Sequence, residues 1–383
     1  MTHIDGYTAP GFENVRDAFA ANFANGSEVG AAFSAYHRGV KVVDLWGGVA
    51  DPETGALWQE NSMILVFSTT KGATALCANL LAERGELDVN APVAKYWPEF
   101  GAAGKQDIPV SYLLSHQSGL AWIDGSMSFE DALAWDPVVE RLAAESPKWE
   151  PGSAQGYHAV TYGWLVGEVV KRISGKSLGT FFHDEVSAPL GLHWYIGLPE
   201  AHDHRVVPLI VIEAPTDEAV KAMMEQFTGP ETNLGKALSA PGGAFSDVTV
   251  FNSRAVRAAE IPAANGIADA RSIARMYASM VGEVDGIRIL GPDQVKQAST
   301  QLTSGPNIVL MDMDVQFGLG FMVPSSIITN RPRSFGHYGA GGSMGWADPD
   351  AEIGFGYVMN RMDIGMAGDT RSASLMSAVY DSI

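Results

Sequence analysis

Apolar residues near both ends of the chain occur in short, turn-bounded stretches that are typical of β-strands. Val29 to Tyr36 is mostly apolar, His37-Arg38-Gly39 has turn character, and Val40 to Trp46 is again apolar, which predicts a β-hairpin. Three further stretches near the other end have strand character: Gln316 to Val323, Ser343 to Ala347 and Glu352 to Met359. Strands at both ends predict that the two ends of the chain meet in one sheet.

The middle of the chain and its last residues instead have the composition and spacing of helices. Thr69 to Ala82 consists largely of helix formers with an apolar majority, and Gly85 is placed to end a helix. Between Val160 and Ile173 the apolar residues recur at helical spacing, and Gly175 follows them. Further helices are predicted at three places: Phe129 to Ala144, Ala270 to Val281 and Thr370 to Ile383.

These two kinds of pattern predict two structural units. The chain has 383 residues, more than one ordinary hydrophobic core accommodates. We expect an α/β (α+β) unit built from residues 1–90 and 265–383. A mostly helical unit at residues 91–264 is inserted between them, and the site is expected between the two units.

The composition restricts the classes of function. Hydrophobic residues make up 46% of the chain and charged residues 18%, as in an ordered globular protein. The formal net charge of -19 disfavours nucleic acid or an anionic membrane as a partner. The first residues lack the basic and apolar regions of a secretory signal, and no apolar run reaches the roughly 18 residues of a membrane span. We therefore predict a cytoplasmic protein with no nucleic-acid and no membrane partner.

Residues that commonly bind metals are sparse. Cys77 is the only cysteine, so the chain has no thiolate cluster for zinc. The nearest approach to a metal site is His202-Asp203-His204, followed by Asp217 and Glu218, in a polar stretch typical of a loop. We predict no metal and no cofactor.

A glycine-rich stretch, Gly341 to Gly345, matches the G-x-S-x-G pattern and offers Ser343 as a nucleophile. In a nucleophile elbow this serine lies between a strand and a helix, and the His of the triad comes later in the chain. Here a strand-like stretch follows Ser343, and the last histidine is His337. A triad in another order remains open, but the sequence favours a different nucleophile.

The alternative nucleophile is Ser68 in the stretch FSTTKG, with Lys71 three residues later. That separation places both side chains on one helical face, one turn apart. A serine hydroxyl needs a base to take its proton, and a lysine can serve once burial or nearby positive charge lowers its pKa. An N-cap serine followed by a surface lysine is the non-catalytic alternative.

Several segments around this pair resemble one enzyme family. VFSTTKG and the helix behind it resemble the nucleophile region of serine β-lactamases and penicillin-binding proteins. Four later stretches are similar to segments of the class C β-lactamase-like esterases and occur in the family's order. They are LDVNAPVAKYWPEF (87–100), LLSHQSGL (113–120), WEPGSAQGYHAVTYGWL (149–165) and GHYGAGG (336–342). The chain most resembles family VIII carboxylesterases. The resemblance implies a β-lactamase/penicillin-binding-protein-like fold, an antiparallel sheet flanked by helices plus a mostly helical domain.

The resemblance also implies roles for particular residues. Ser68 would attack the carbonyl carbon and carry the acyl group, while Lys71 and Tyr157 would share proton handling, either being the formal base. The backbone N–H groups of Ser68 and Ala340 would form the oxyanion hole. Substrate contacts are expected from four residues: His337, Gly339, Gly341 and His158.

Two departures from the family pattern bear on the substrate. The second motif usually ends in Asn, but here it is Tyr157-His158-Ala159, which removes a polar group that would hold the amide of a β-lactam. His337 stands where a lysine often binds a substrate carboxylate, and imidazole is mostly neutral at pH 7. Both departures favour neutral esters. One or two of five tryptophans are expected to line an apolar acyl pocket: Trp122, Trp135, Trp149, Trp164 and Trp346.

The main hypothesis is a serine carboxylesterase that cleaves short- or medium-chain carboxylic esters through an acyl-enzyme on Ser68. Its partner is then a small-molecule ester. The alternatives with the same residues are a β-lactamase, a D-amino-acid peptidase or an acyltransferase. A non-catalytic acyl-binding protein is a further alternative, which the presence of Ser68, Lys71 and Tyr157 together disfavours.

Overall fold

The computed structural model describes residues 2–212, 216–329, 331–363 and 369–383. In chain order its strands are β1 (Ile4–Thr8), β2 (Gly30–His37), β3 (Val40–Asp51), β4 (Ala56–Leu57), β5 (Ile64–Leu65), β6 (Trp194–Tyr195), β7 (Ile267–Ala268), β8 (Gln316–Phe317), β9 (Met322–Val323), β10 (Phe335–Tyr338), β11 (Met344–Asp348) and β12 (Ile353–Met359). Its α-helices are α1 (Glu13–Ala24), α2 (Thr70–Glu83), α3 (Val110–Leu114), α4 (Phe129–Leu133), α5 (Trp135–Ala144), α6 (Thr161–Ser174), α7 (Leu178–Phe182), α8 (Ala188–Leu190), α9 (Glu218–Thr228), α10 (Asn233–Leu238), α11 (Arg254–Ala258), α12 (Ala270–Val281), α13 (Pro292–Ala298) and α14 (Thr370–Tyr380).

Two antiparallel sheets organise the described residues. The larger has the strand order β1-β3-β2-β12-β11-β10-β9-β8, with β4 paired to β3, and the smaller has the order β5-β7-β6. The predicted hairpin is confirmed as β2 and β3. Pairing of β2 with β12, from Ala31 opposite Met359 to His37 opposite Ile353, joins the two ends of the chain in one sheet as predicted.

Alternation along β12 assigns its two faces to different helices. Phe355 contacts the ring of Tyr380 in α14, with ring centroids 5.6 Å apart. Gly354 and Gly356 lie on the opposite face of the sheet, since successive residues of a strand face opposite sides. There α12 packs on β12, β2 and β11. An added Cβ at Gly356 would lie 2.7 Å from the backbone nitrogen of Ala274, so glycine is what allows α12 to approach the sheet.

Helices α2, α6 and α12 have the predicted bounds within a residue, whereas α14 begins as predicted and ends three residues earlier, at Tyr380. The predicted helix at 129–144 is instead two helices, with Ala134 extended between them at φ -86° and ψ 130°. Pro137 explains the break because a proline, which has no N–H, is tolerated only in the first turn of a helix. The predicted strand at 316–323 is likewise divided into β8 and β9, where Gly320 turns with φ +89°.

The division into two units at residues 90 and 265 stays a prediction. Helices α3 to α11 all lie between residues 110 and 258. Helix α2, which carries the candidate lysine near its start, packs against α6 from this region.

The close packing of α12 on β12 generates a stability prediction. We expect Gly356→Ala to lower the free energy of unfolding by about 1–3 kcal/mol or more, because its Cβ would overlap the α12 backbone. The control is Gly282→Ala, whose Cβ would meet only the Ala278 carbonyl oxygen, at 3.9 Å. Urea denaturation of the two variants measures the difference, and equal losses would contradict this packing.

Candidate active site

Ser68 lies in a short turn, Phe67–Thr69, directly before α2. Phe67 adopts φ +42°, in the left-handed region that a bulky residue rarely occupies. Packing supports this conformation, since the Phe67 and Phe251 rings lie 5.0 Å apart. The Val66 N–H also donates to the Gly266 carbonyl at 2.9 Å. Strain of this kind persists only when its surroundings determine it, and here it presents the Ser68 side chain to a cavity.

Lys71 is fully buried, and its amine touches the Ser68 hydroxyl. Lys71 Nζ lies 2.9 Å from Ser68 Oγ, 2.6 Å from the Ala159 carbonyl oxygen and 2.9 Å from the Ala263 carbonyl oxygen. Among the ion pairs of the described ranges, none includes Lys71. Burial without a counter-charge lowers the pKa of Lys71 well below its ordinary value. In the neutral amine two N–H bonds can donate to the carbonyls, which leaves the lone pair facing Ser68.

Tyr157 completes the group around the Ser68 hydroxyl. Its hydroxyl hydrogen-bonds the Ser68 side chain, and Lys71 Nζ lies 4.8 Å from the centre of its ring. Burial raises the pKa of Tyr157 above its ordinary value, and the hydrogen bond with the Ser68 side chain only partly opposes this. The structure therefore brings together the serine, the lysine and the phenol that the resemblance predicts.

Ser343 connects the Ser68 turn to the strand that follows the glycine-rich stretch. Its hydroxyl donates to the Val66 carbonyl at 2.7 Å and therefore accepts from the Thr69 hydroxyl at 2.9 Å. The side chain is buried, and its one proton is committed to a backbone oxygen. This geometry supports the interpretation that Ser343 is a structural residue rather than the nucleophile.

The predicted oxyanion donor Ala340 begins a short turn, Ala340–Gly342, between β10 and β11. Ala340 and Ser68 line the same cavities. Gly341 has φ +85°, and a Cβ there would lie 2.8 Å from Cγ of Met362. A Cβ at Gly339 would overlap the Val66 carbonyl and the Ser343 hydroxyl. Both glycines thus permit close packing of the turn, beside their predicted contact with substrate.

The two candidate histidines lie in different surroundings. His337 is buried with its ring 6.1 Å from that of Tyr157. Its Nδ1–H donates to the Tyr338 carbonyl at 2.6 Å, and its Nε2 has no hydrogen-bond partner among the described residues. Burial is the main cause that lowers the pKa of His337 to about 3, so the ring is neutral at neutral pH.

His158 is not brought into the cleft in the way its sequence neighbourhood predicts. Its Nε2 accepts from the Leu120 N–H at 3.1 Å and contacts the Ser118 hydroxyl at 2.9 Å. Its Nδ1 lies 2.6 Å from the Gly156 carbonyl oxygen, to which it donates. Both ring nitrogens are therefore occupied by the protein, and the side chain is fully buried. The His158 side chain therefore points into the core, where its hydrogen bonds connect loop 115–120 to the segment that carries Tyr157.

Two cavities meet at Ser68, Ala340 and Leu238. The larger, of about 540 Å³, has mostly apolar walls that include Phe67, Val160, Phe245, Phe251 and Met362. The smaller, of about 30 Å³, is lined by Tyr157, Leu310, Met313, Val315, Met322 and Tyr338. No tryptophan lines either cavity in the described part of the chain, so that sequence expectation is wrong. Phenylalanines supply the aromatic walls instead, while Trp164 and Trp346 are core residues.

A buried charged network behind the Ala340 turn had no signal in the sequence. Arg371, in α14, donates through Nη2 to the Gly341 carbonyl at 2.6 Å and to Asp369 Oδ2 at 2.6 Å. Glu28 lies 3.6 Å from the same guanidinium and accepts a short hydrogen bond from the Tyr357 hydroxyl. The network thus connects the first and last segments of the chain to the turn that carries Ala340.

Glu28 makes stability depend on pH in a predictable direction. Burial raises its pKa from 4.5 to about 7, against the opposing effect of Arg371. Between these values the folded chain keeps the Glu28 proton and the unfolded chain loses it, so this contribution to stability falls as the pH rises. We expect the stability of Glu28→Gln relative to the wild type to increase from pH 4.5 to 8, by up to about 3 kcal/mol.

Urea denaturation at several pH values measures this difference for Glu28→Gln. The control is Glu53→Gln, which makes the same replacement at an exposed position outside the buried network. A difference for Glu28→Gln that is constant across the range would contradict the buried, protonated state.

The described ranges include His202-Asp203-His204 and all the helices given above. No group of three or more His, Cys, Asp or Glu residues there is arranged to hold a metal ion. In the His202-Asp203-His204 stretch, Asp203 pairs with Arg254 at 2.7 Å. Within the same ranges no helix has both the length and the apolar character needed to cross a bilayer.

An antiparallel sheet flanked by helices, with a buried lysine one turn after a serine, defines the class of β-lactamase-like serine enzymes. The chain belongs to the β-lactamase family, whose sequence model matches residues 15–378. It is 38% identical to the esterase/beta-lactamase LipL of Mycobacterium tuberculosis over 370 residues, which cover 94% of this chain and 83% of that protein.

Two solved structures are similar to this chain over its whole length. A family VIII carboxylesterase is similar with a TM-score of 0.90 and 38% identity, each chain being covered completely. A penicillin-binding protein homologue from Caulobacter crescentus has a TM-score of 0.89 and 34% identity, again with complete coverage of both chains. The predicted fold and the predicted family are confirmed.

Proposed function

We propose that this protein is a serine carboxylesterase that cleaves short- and medium-chain esters through an acyl-enzyme on Ser68. The observation that carries the proposal is the 2.9 Å contact between Lys71 Nζ and Ser68 Oγ beside an apolar cavity, with an amine that is buried and has no counter-charge in the described part of the chain. Membership of the β-lactamase family and the similarity to proteins named as esterases support it.

Acylation begins with proton transfer from the Ser68 hydroxyl to the neutral Lys71 amine. Ser68 Oγ then bonds to the ester carbonyl carbon, and the backbone N–H groups of Ser68 and Ala340 stabilise the oxyanion. Collapse of the tetrahedral intermediate breaks the bond to the alcohol oxygen, which takes a proton from the Tyr157 phenol. The Lys71 ammonium then returns a proton to the Tyr157 oxygen, and water repeats the sequence in deacylation.

Burial assigns the two proton carriers to different roles in this proposal. It lowers the pKa of Lys71 and raises that of Tyr157, so both groups rest in their neutral forms. A neutral amine accepts a proton, whereas a neutral phenol donates one. We therefore propose Lys71 as the base, a choice that the sequence leaves open, and Tyr157 as the acid for the leaving group.

The charge around the cleft favours a neutral substrate. No lysine or arginine lines either cavity in the described part of the chain. The buried His337 ring is neutral. An anionic β-lactam or a peptide carboxylate would lose its hydration there without gaining a cationic partner, which costs free energy. A neutral ester loses much less on entering.

Replacement of each candidate serine by alanine tests which of the two is the nucleophile. We expect Ser68→Ala to abolish hydrolysis of ethyl butyrate and labelling by a fluorophosphonate probe, since the attacking oxygen is lost. Ser343→Ala is the matched control and should keep much of the activity, with a loss of stability of about 1 kcal/mol from its hydrogen bonds. Full activity in Ser68→Ala, or its abolition only in Ser343→Ala, would contradict the proposal.

The pH profile tests the base. We expect kcat/KM to rise with pH as Lys71 loses its proton, and to level off well below pH 10.5, because burial lowers the pKa of Lys71. In Tyr157→Phe the rate should fall by about 10²–10⁴, with the acid limb of the profile retained. A wild-type profile that is flat from pH 5 to 10, or loss of the limb in Tyr157→Phe, would be evidence against Lys71.

A further inference from the structure

The two cavities that meet at Ser68 differ in size by more than tenfold, at about 540 and 30 Å³. We infer that the cleft selects esters of bulky apolar acids with small alcohols, with the alcohol portion in the smaller cavity. This inference rests on the proposed function and specifies its substrate class. It also makes the residues around the smaller cavity the determinants of alcohol size.

The position of Tyr157 sets the direction in which an ester lies. The alcohol oxygen that leaves must come within hydrogen-bond distance of a proton donor. Tyr157 lines the smaller cavity and does not line the larger one. With the carbonyl carbon on Ser68 Oγ, the alcohol portion therefore extends into the smaller cavity and the acyl portion into the larger.

The smaller cavity, at about 30 Å³, has room for a small group such as methyl or ethyl and is far smaller than its neighbour. Its walls leave little room for expansion, because Val315, Met322 and Tyr338 are buried, the latter two in β9 and β10. Close-packed interiors resist added methylene groups. A hexyl alcohol portion would have to displace these strands.

The larger cavity can accept the acyl chain. Phe67, Phe245 and Phe251 form a connected aromatic wall, with neighbouring ring centroids 5.0 and 5.5 Å apart. Each acyl methylene group buried against them leaves water, which favours binding. Leu238, at the end of α10, lines both cavities and so lies at their boundary.

Two isomeric esters test the direction. Ethyl hexanoate and hexyl acetate have the same formula and both release an alkyl alcohol, but they place the long alkyl chain on opposite sides of the carbonyl. We expect kcat/KM for ethyl hexanoate to exceed that for hexyl acetate at least about tenfold. Equal values or the reverse order, with both esters hydrolysed, would overturn the inference and leave the proposed function standing. No hydrolysis of either ester, together with no labelling of Ser68 by a fluorophosphonate, would overturn both.

A variant of the smaller cavity provides an independent test. Met313→Ala removes side-chain volume from its wall, so the ratio of kcat/KM for ethyl hexanoate to that for hexyl acetate should fall several-fold. Met311→Ala is the matched control, because Met311 is 45% exposed and lines neither cavity. An unchanged or increased ratio in Met313→Ala, or an equal fall in Met311→Ala, would overturn the inference.

Discussion

The amine of Lys71 lies inside the protein with two carbonyl oxygens and one hydroxyl as partners, and it has no place in the ion pairs of the described residues. Taking an ammonium ion out of water without a counter-charge is costly, so the environment favours the neutral amine. The rest of the cleft depends on this constraint. A carboxylate beside Lys71 would keep it protonated, and the Ser68 hydroxyl would then have no base.

Three segments far apart in the chain maintain this arrangement. The turn before α2 presents Ser68, the loop before α6 brings Tyr157, and the turn after β10 brings Ala340. Ser343 binds the first turn to the third through the Val66 carbonyl. Arg371 donates a hydrogen bond to the Gly341 carbonyl in the third turn. Ser343, which fits a nucleophile pattern, and Arg371, which fits no sequence pattern, thus both stabilise the turns that carry Ser68 and Ala340.

Sequence patterns succeeded where the determinant is local. The bounds of α6 and α12 follow from apolar spacing, and Gly175 ends α6 in the left-handed conformation. The spacing of Ser68 and Lys71 is local too. Sequence patterns failed where contacts with residues distant in the chain decide the conformation. His158 follows Tyr157 in sequence yet points into the core, and β1 is an edge strand whose mostly exposed residues lack an apolar pattern.

The sequence by itself therefore determined the family, the long helices, the hairpin and the single turn that separates the serine from the lysine. These depend on helical and strand periodicity and on short motifs, which act over a few residues. Tertiary structure alone decided that Lys71 is buried with no counter-charge among the described residues, that Arg371 reaches the Ala340 turn, and that a large and a small cavity meet at Ser68. The reason is that desolvation and cavity volume arise from packing between segments hundreds of residues apart, and no local pattern encodes them.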